Sequence, residues 1–534
     1  MTSARALARG LVNGTWLASC ARDHARFESG LGDVADTQSR YLLDLLRRNA
    51  DTCYGASHSF ARIRSVAEYQ ERVPIVAYED LAPSIDAIAD GRRHVLTVEG
   101  VRLFQPTSGS TAATKLIPWT ARVAAEFRRG IAPWAVALFR RRPELKRGVS
   151  YWSLSPPGAR PRRHGRLPVG FDDDSAYLGS LGRRFHALVS ASPTDLGDGS
   201  TDDFAVRTLA CLLAARDLSL ISIWSPTFLG VLLDFLGAHP EEALKHLRQC
   251  GRCNERRVHE VGEALRGGGE ETLVRIWPNL TVISCWTHGP SALHASTLAR
   301  RFPGVEMQGK GLVATEAFVS LPFVTGKDPV LAVTSHFFEL QDAASGSIAL
   351  AHEAAAGGIY RVIITTGGGL YRYCLGDLVE VTGFVGGAPC LRFLGREGNV
   401  SDLCGEKLNG AFVQAAVERA LGHHGIAPRF CMVAPVAGHG PRYALFLSAA
   451  VSDAASLAAT LDQGLQESFH YAHCRRIGQL EPIGIFLVDA SARSAEACYQ
   501  EAMVARGFKP GDIKPTPLDT DSGWERRFQG RYVA

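Results

Sequence analysis

The sequence predicts an α/β protein: a large N-terminal domain with β-sheets flanked by helices plus a barrel-like β subdomain, and a smaller α+β C-terminal domain. Three observations carry this. Short apolar, β-branched segments alternate with helical ones, glycine-broken strands crowd between about residues 331 and 395, and the pattern changes again near residue 400. Taken in order, the first hundred residues read as helices, with TQSRYLLDLLRRNA placing Tyr41, Leu42, Leu45 and Leu46 at helical spacing. Then come strand GVRLFQP, a helix through WTARVAAEFRRGIAPWAVALF starting near Trp119 to Arg122, strand LSLISIW, a helix through TFLGVLLDFL, and strand LTVISCW. The strand-rich stretch comprises LAVTSHFFEL, SIALAHE, GIYRVIITT, LYRYCLGDLVEVTGF and CLRFLG, separated by turns such as TGGGLY and VGGAP. After GREGNVSD the order is helix (NGAFVQAAVERALGHHG), strands (RFCMVAPVA, RYALFLSAA), a single helix (SLAATLDQGLQESFHYAHCRR) and strand (PIGIFLVD). The expected division is 1–398 and 399–534.

A chain of 534 residues, 46% hydrophobic, exceeds one compact core. The net charge of +4 and the lack of basic runs interleaved with aromatics argue against nucleic acid as a partner. The stretch LSLISIWSPTFLGVLLDFLG contains Pro226 and Asp234, so it suits a buried strand and helix better than a membrane span. Twelve cysteines without a repeating interval suit reduced thiols, and the expected location is the cytoplasm. Cys250 and Cys253, flanked singly by His246 and His259, lack the second ligand pair of a zinc module, and no metal is assigned there. Fifty arginines stand against eight lysines, so a lysine at a glycine-rich turn hints that a compact ammonium is required.

Five stretches could carry chemistry. TSGSTAATK (107–115) offers small residues, hydroxyls and Lys115, which suit an anion cradle, although such turns, taken alone, are mostly plain loops. It lacks the spacing of a P-loop. QGKGLVATEAFVSLP (308–322) offers Thr315 for phosphate and Glu316 for magnesium; the alternative is a buried turn whose Glu316 caps the next helix. In LYRYCLGDLVEVTGF, Asp377 could hold both ribose hydroxyls or occupy a hairpin turn. FLGREGNVSDLCGEKLNG places Arg396 at the junction and Lys407 in a turn, and FKPGDIKPTPLD supplies Lys509 and Lys514 beside prolines.

The order of these stretches resembles that of enzymes that make acyl-adenylates. NADTCYGASHSFARIRSVAEYQERVPIVAYEDLAPSI, TSGST, RIWPNL, ATEAF, HFFEL, YRYCLGD and FLGR resemble segments of the auxin-responsive-promoter family of acyl-acid amido synthetases, a branch of the adenylate-forming superfamily, from about residue 40 to 520. QGKGLVATEAF and VISCW are closer to its bacterial members.

The resemblance implies an adenylate-forming fold and two half-reactions: a small carboxylic acid attacks the α-phosphate of ATP, releasing pyrophosphate, and an amine or amino acid then takes the acyl group. It places Thr107, Ser108, Gly109, Ser110, Thr111 and Lys115 on the β- and γ-phosphates. Thr315 would reach the α-phosphate, Glu316 would ligate Mg2+, Asp377 the ribose with Arg396 beside it, and adenine would lie against Gly309, Lys310, Gly311 and Leu312. Lys310 also admits the reading of a solvated turn residue. Lys514, with Lys509 as competitor, would be the mobile lysine that offsets charge during adenylation. Lys407 would replace it after rotation about Gly398. His288 or Glu339 could assist amine deprotonation or be structural, and Trp224 and Trp286 could wall the acyl pocket or fill a core. Alternatives are acyl transfer to a thiol (coenzyme A or a carrier protein) and a non-catalytic nucleotide-binding protein. A monomer without nucleic-acid or membrane partners is expected.

Overall fold

The computed structural model describes residues 2–107, 115–153, 162–170, 189–193, 201–397, 400–436, 440–489, 494–506, 508, 511 and 513–534. Two helices open the chain, Thr2–Gly32 and Val34–Arg48. In the second, Asp33 accepts from Asp36 N at the start, and Tyr41, Leu42, Leu45 and Leu46 form the buried stripe expected from their spacing. The long helix Ala121–Arg141, capped by Thr120 Oγ1 accepting from Val123 N, packs on the first helix, with Trp16 edge-on to Phe139.

A four-stranded sheet holds Leu103–Pro106 between Leu116–Trp119, antiparallel, and Leu167–Val169, parallel. The 107–115 stretch therefore joins two strands of one ladder, and Thr107 N donates to Lys115 O at 2.9 Å across its base. The helix starts where expected, but the strand Leu116–Trp119 intervenes, so this loop does not lead directly into a helix N-terminus.

A second sheet is wholly parallel: Val149–Trp152, Leu218–Ser222, Val282–Cys285 and Glu306–Gly309, in that spatial order. Helices Thr201–Ala214, Pro226–Ala238 and Ala292–Arg301 lie between successive strands in the chain. Parallel strands need such crossovers, and their carboxyl ends all point to one edge, where ligands of open α/β sheets bind.

The strand-rich stretch is a seven-stranded antiparallel sheet, bordered by Ile348–Leu350 and Ser320–Leu321. Register shifts bend its long hairpin, Tyr373–Val385 with Ala388–Arg396.

Beyond residue 400 a four-stranded sheet comprises Phe430–Pro435, Tyr443–Ser448, Gly484–Val488 and Gly530–Tyr532; the first three bury both faces and the last is exposed. Val433, Leu445 and Ile485 face helices Gly410–His423 and Ala454–Leu465, while Met432, Phe446 and Phe486 face Tyr499, Trp524 and Phe528. The single helix expected over 456–476 is two, Ala454–Leu465 and Phe469–Arg476. Asp462 is the reason: it accepts from Tyr471 Oη at 2.8 Å and Arg475 Nε at 3.1 Å, folding the second helix back onto the first. This part docks on the rest through the helix Ala495–Ala505, whose Gln500 Nε2 donates to Thr227 Oγ1 at 3.2 Å.

Candidate active site

Asp377 lies within the strand Tyr373–Val385 rather than in a hairpin turn, directly after Gly376, whose φ of 75° favours glycine. Its register partner across the ladder is Arg396, with Nε 4.0 Å from Asp377 Oδ1. Arg361, bonded to Glu397 through both carboxylate oxygens at 2.6 and 2.7 Å, anchors the end of that hairpin. Burial pushes the Asp377 carboxyl above its ordinary range, against the pull of Arg396 and Lys514.

Glu316 caps no helix. It sits in a tight turn between the bridged residues Val313 and Phe318, where Ala314 N donates to Ala317 O at 2.9 Å. Only 5% of it is exposed, and burial raises its carboxyl. Arg396 and Lys514 oppose that rise through charge rather than a direct hydrogen bond, and Asp377 adds to it. Glu316, Asp377, Arg396 and Lys514 are thus coupled through their charges, two buried carboxylates and two cations. Thr315, next to Glu316 in the chain, is half-buried.

Lys514 comes from the far end of the chain. Tyr499 Oη donates to its carbonyl at 2.9 Å, Val433 N donates to Pro517 O at 2.9 Å, and its Nζ lies 5.1 Å from the Trp286 ring centre. Lys407 is exposed at φ 46° in the turn before Leu408–Asn409. Glu406 braces that turn by accepting from Leu403 N and Cys404 N at 2.6 and 2.8 Å. Lys514 acts on Glu316 and Asp377 through its charge, whereas Lys407 does not figure among the charges acting on either. Ser108, Gly109, Ser110, Thr111, Gly398 and Lys509 lie outside the described residues, as does most of the expected pocket segment 167–179.

Lys115 lies over the Tyr78 ring at 5.6 Å, and Tyr78 Oη accepts from Leu116 N at 2.9 Å. Tyr373 links this corner to the coupled charges: its hydroxyl responds to Glu316, Arg396, Glu79 and Tyr78, and it has no hydrogen-bond partner among the described residues. The sequence reading passed over Tyr373; its place three residues before Gly376 is the one available signal.

The backbone at Gly309–Leu312 is largely committed. Lys310 N donates to Cys285 O, Leu312 N to Ser320 Oγ, and Leu312 O accepts from Val319 N and Ser320 N. A Cβ at Gly309 would come within 2.5 Å of Thr287 Oγ1, so the glycine serves close packing. Lys310 is not a solvated turn residue. Its Nζ donates to Ser222 Oγ at 2.6 Å and lies 4.8 and 5.3 Å from the ring centres of Trp224 and Trp134. Dehydration lowers its ammonium to about 8. Trp224 and Trp286 pack at 5.9 Å beside the two lysines, each only partly buried. Glu339 is wholly buried and bonded by Arg372 Nε and Nη2 at 3.0 Å, and His288 pairs with Asp328 at 3.3 Å. Both therefore already have partners.

Glu126 is a further residue the sequence reading missed. Its Oε1 accepts from Tyr41 Oη at 2.6 Å and its Oε2 from Gly367 N at 3.0 Å, and His336 Nδ1 lies 3.3 Å away. The same imidazole accepts from Phe318 N at 3.1 Å, so Glu126 braces the turn that carries Glu316.

The site sets Lys514, from the C-terminal part of the chain, over Trp286 at the carboxyl end of a parallel strand, in a fold of the acyl acid amido synthetase class. A solved acyl acid amido synthetase in complex with 2,4-DB superposes with a TM-score of 0.82, covering 96% of this chain and 95% of that one at 19% identity. A second gives 0.79 over 93% and 94% at 20% identity. The chain belongs to the GH3 family: the family's N-terminal domain matches residues 23–307, its central domain 330–396 and its C-terminal domain 411–521. It is 24% identical to a probable indole-3-acetic acid-amido synthetase of Oryza sativa subsp. japonica, over 77% of this chain and 74% of that protein. A putative indole-3-acetic acid-amido synthetase from the same plant is 26% identical, over 73% of this chain and 84% of that protein. No described helix is long and apolar enough to cross a membrane.

Proposed function

We propose that this chain is an ATP-dependent acyl-acid amido synthetase, joining a small carboxylic acid to an amine or amino acid through acyl-AMP. The observation that carries the reading is the convergence of Lys514 with Arg396 on Glu316 and Asp377. Asp377 binds the ribose hydroxyls. Thr107, Ser108, Gly109, Ser110, Thr111 and Lys115 hold the β- and γ-phosphates, and Thr315 the α-phosphate. Lys514 offsets the charge that builds as the acid's carboxylate approaches the α-phosphate; an O–P bond forms there and pyrophosphate leaves. The amine then attacks the acyl carbon, forming C–N and releasing AMP.

Glu316 fits magnesium, which is ordinarily held by one or two carboxylates plus substrate phosphates. It is buried, and its neighbouring cations act on it only from a distance. When bound there, the ion would supply charge neutralisation on the phosphates. Unit 399–534 rotates against 1–398 between the half-reactions, withdrawing Lys514 and presenting Lys407. The twelve free thiols and the use of ATP suit a cytoplasmic enzyme, and we read it as a monomer.

The test is carboxylate-dependent exchange of labelled pyrophosphate into ATP, followed by mass spectrometry with amines and thiols. Lys514→Ala is expected to cut exchange about 100-fold or more while sparing aminolysis of supplied acyl-AMP; equal loss of both would sink the role given to Lys514. Asp377→Ala is expected mainly to weaken ATP binding, and unchanged affinity would count against the ribose assignment. Thiol ester products in place of amides would redirect the second half-reaction.

A further inference from the structure

Three of the four parallel strands end at, or one residue short of, an aromatic or cationic side chain, and the remaining one comes within two. Trp152 ends the first, Trp224 follows the second, Trp286 follows the third, and Lys310 follows the fourth. Backbone bonds fix these positions: Trp286 N donates to Trp224 O at 2.9 Å and Lys310 N to Cys285 O at 3.0 Å. Trp134 is fixed too, its Nε1 donating to Gln308 Oε1 at 2.7 Å with its ring edge-on to Trp152. Lys310 Nζ is held between the Trp134 and Trp224 faces.

An ammonium has three protons to donate, and Ser222 Oγ takes one. Among the described residues no carboxylate pairs with Lys310. Its nearby ionisable group is Cys285, whose thiol burial pushes up to about 12 and which therefore stays neutral. A dehydrated cation against indole faces gains some attraction from them, yet among the described residues it has no anion. Lys514 Nζ lies over Trp286, on the other member of the Trp224–Trp286 pair. Two ammonium groups therefore flank one tryptophan pair, and only one of them is required where the acid is activated.

We propose that Lys310 is a specificity residue that binds a second carboxylate of the acyl substrate, so that the preferred acid is a dicarboxylate. One carboxylate would be adenylated beside Lys514, the other would meet Lys310 and Ser222, and the apolar spacer would lie along Trp224 and Trp286. The assignment of ends rests on the amido synthetase reading; binding of a dicarboxylate at Lys310 does not.

The experiment compares matched acids, hexanoate with adipate and phenylacetate with 4-carboxyphenylacetate, in pyrophosphate exchange. The wild type is expected to favour the diacid in kcat/KM. Lys310→Met is expected to lower the diacid-to-monoacid ratio by about 30-fold or more, the scale of removing one member of a dehydrated charge pair, and Lys310→Arg to restore part of it. The diacid KM should rise above about pH 8, where Lys310 loses its proton, with no matching rise for the monoacid. An unchanged ratio in Lys310→Met, or a wild-type preference for monoacids, overturns the proposal. In parallel, the rise in Tm caused by adipate alone is measured for wild type and Lys310→Met. If no acid supports exchange, the synthetase reading fails, and the Tm shift still decides Lys310: a shift lost in the variant supports the site, and its absence in both proteins, or persistence in the variant, overturns it.

Discussion

Glu126 shows how a site is held by a residue that touches none of its reacting groups. Burial works against its charge, but the His336, Arg129 and Tyr41 contacts outweigh that cost, and its carboxyl lies below the ordinary range. Truncation to alanine would strand Tyr41, His336 and the Gly367 amide in a closed interior. We expect Glu126→Ala to cost about 3–5 kcal/mol in chemical denaturation, and Glu126→Gln, which keeps an acceptor, to cost less. Because the folded pKa is depressed, its contribution should be full above the reference value of 4.5 and fade as pH falls below it; a pH-independent difference between wild type and Glu126→Gln from pH 3 to 7 would refute this. Lys310 marks the limit of reading residues from sequence. The glycines around it announce a turn, but only the packing of four strands reveals that the side chain enters a tryptophan-lined space.

Among elements, legibility followed periodicity. The helix Val34–Arg48 was plain because its stripe is regular, and the strand Leu116–Trp119 was missed because Pro118 argues against a strand. Pro118 is tolerated there opposite Phe104 in a short strand at the sheet's border. Asp377 and Arg396 could be recognised as motifs, but their pairing is a matter of hairpin register that bulges make hard to count. The break between Ala454–Leu465 and Phe469–Arg476 was invisible for a different reason: it depends on one side chain bonding forward in the chain. Asp462→Ala should therefore destabilise the C-terminal unit by about 2 kcal/mol, read as an earlier urea midpoint; an unchanged midpoint would show that the break has another cause.

At the scale of the molecule, the two parts meet where Glu496, on the helix Ala495–Ala505, lies near His294, Thr227, Phe430 and Tyr499. Burial lifts its carboxyl to about 7, Asp234 adds to the rise, and Arg429 and Arg301 oppose it; Asp234 and Arg301 are themselves paired at 2.6 Å. A carboxyl raised by docking favours the docked arrangement most below its solvent value of 4.5, with the advantage lost as pH climbs through 7. Small-angle scattering should show a more extended molecule at pH 8.5 than at pH 5.5, and Glu496→Gln should flatten that difference; identical profiles for both proteins would refute it. The tethering of Lys514 has a consequence for timing. With Tyr499 holding its carbonyl and Pro517 bonded to Val433, the residue has little slack of its own. In the proposed rotation it would travel as a tooth cut into a wheel, so the pace at which it left the nucleotide would be set by the turning of more than a hundred residues together and not by the flicker of one side chain.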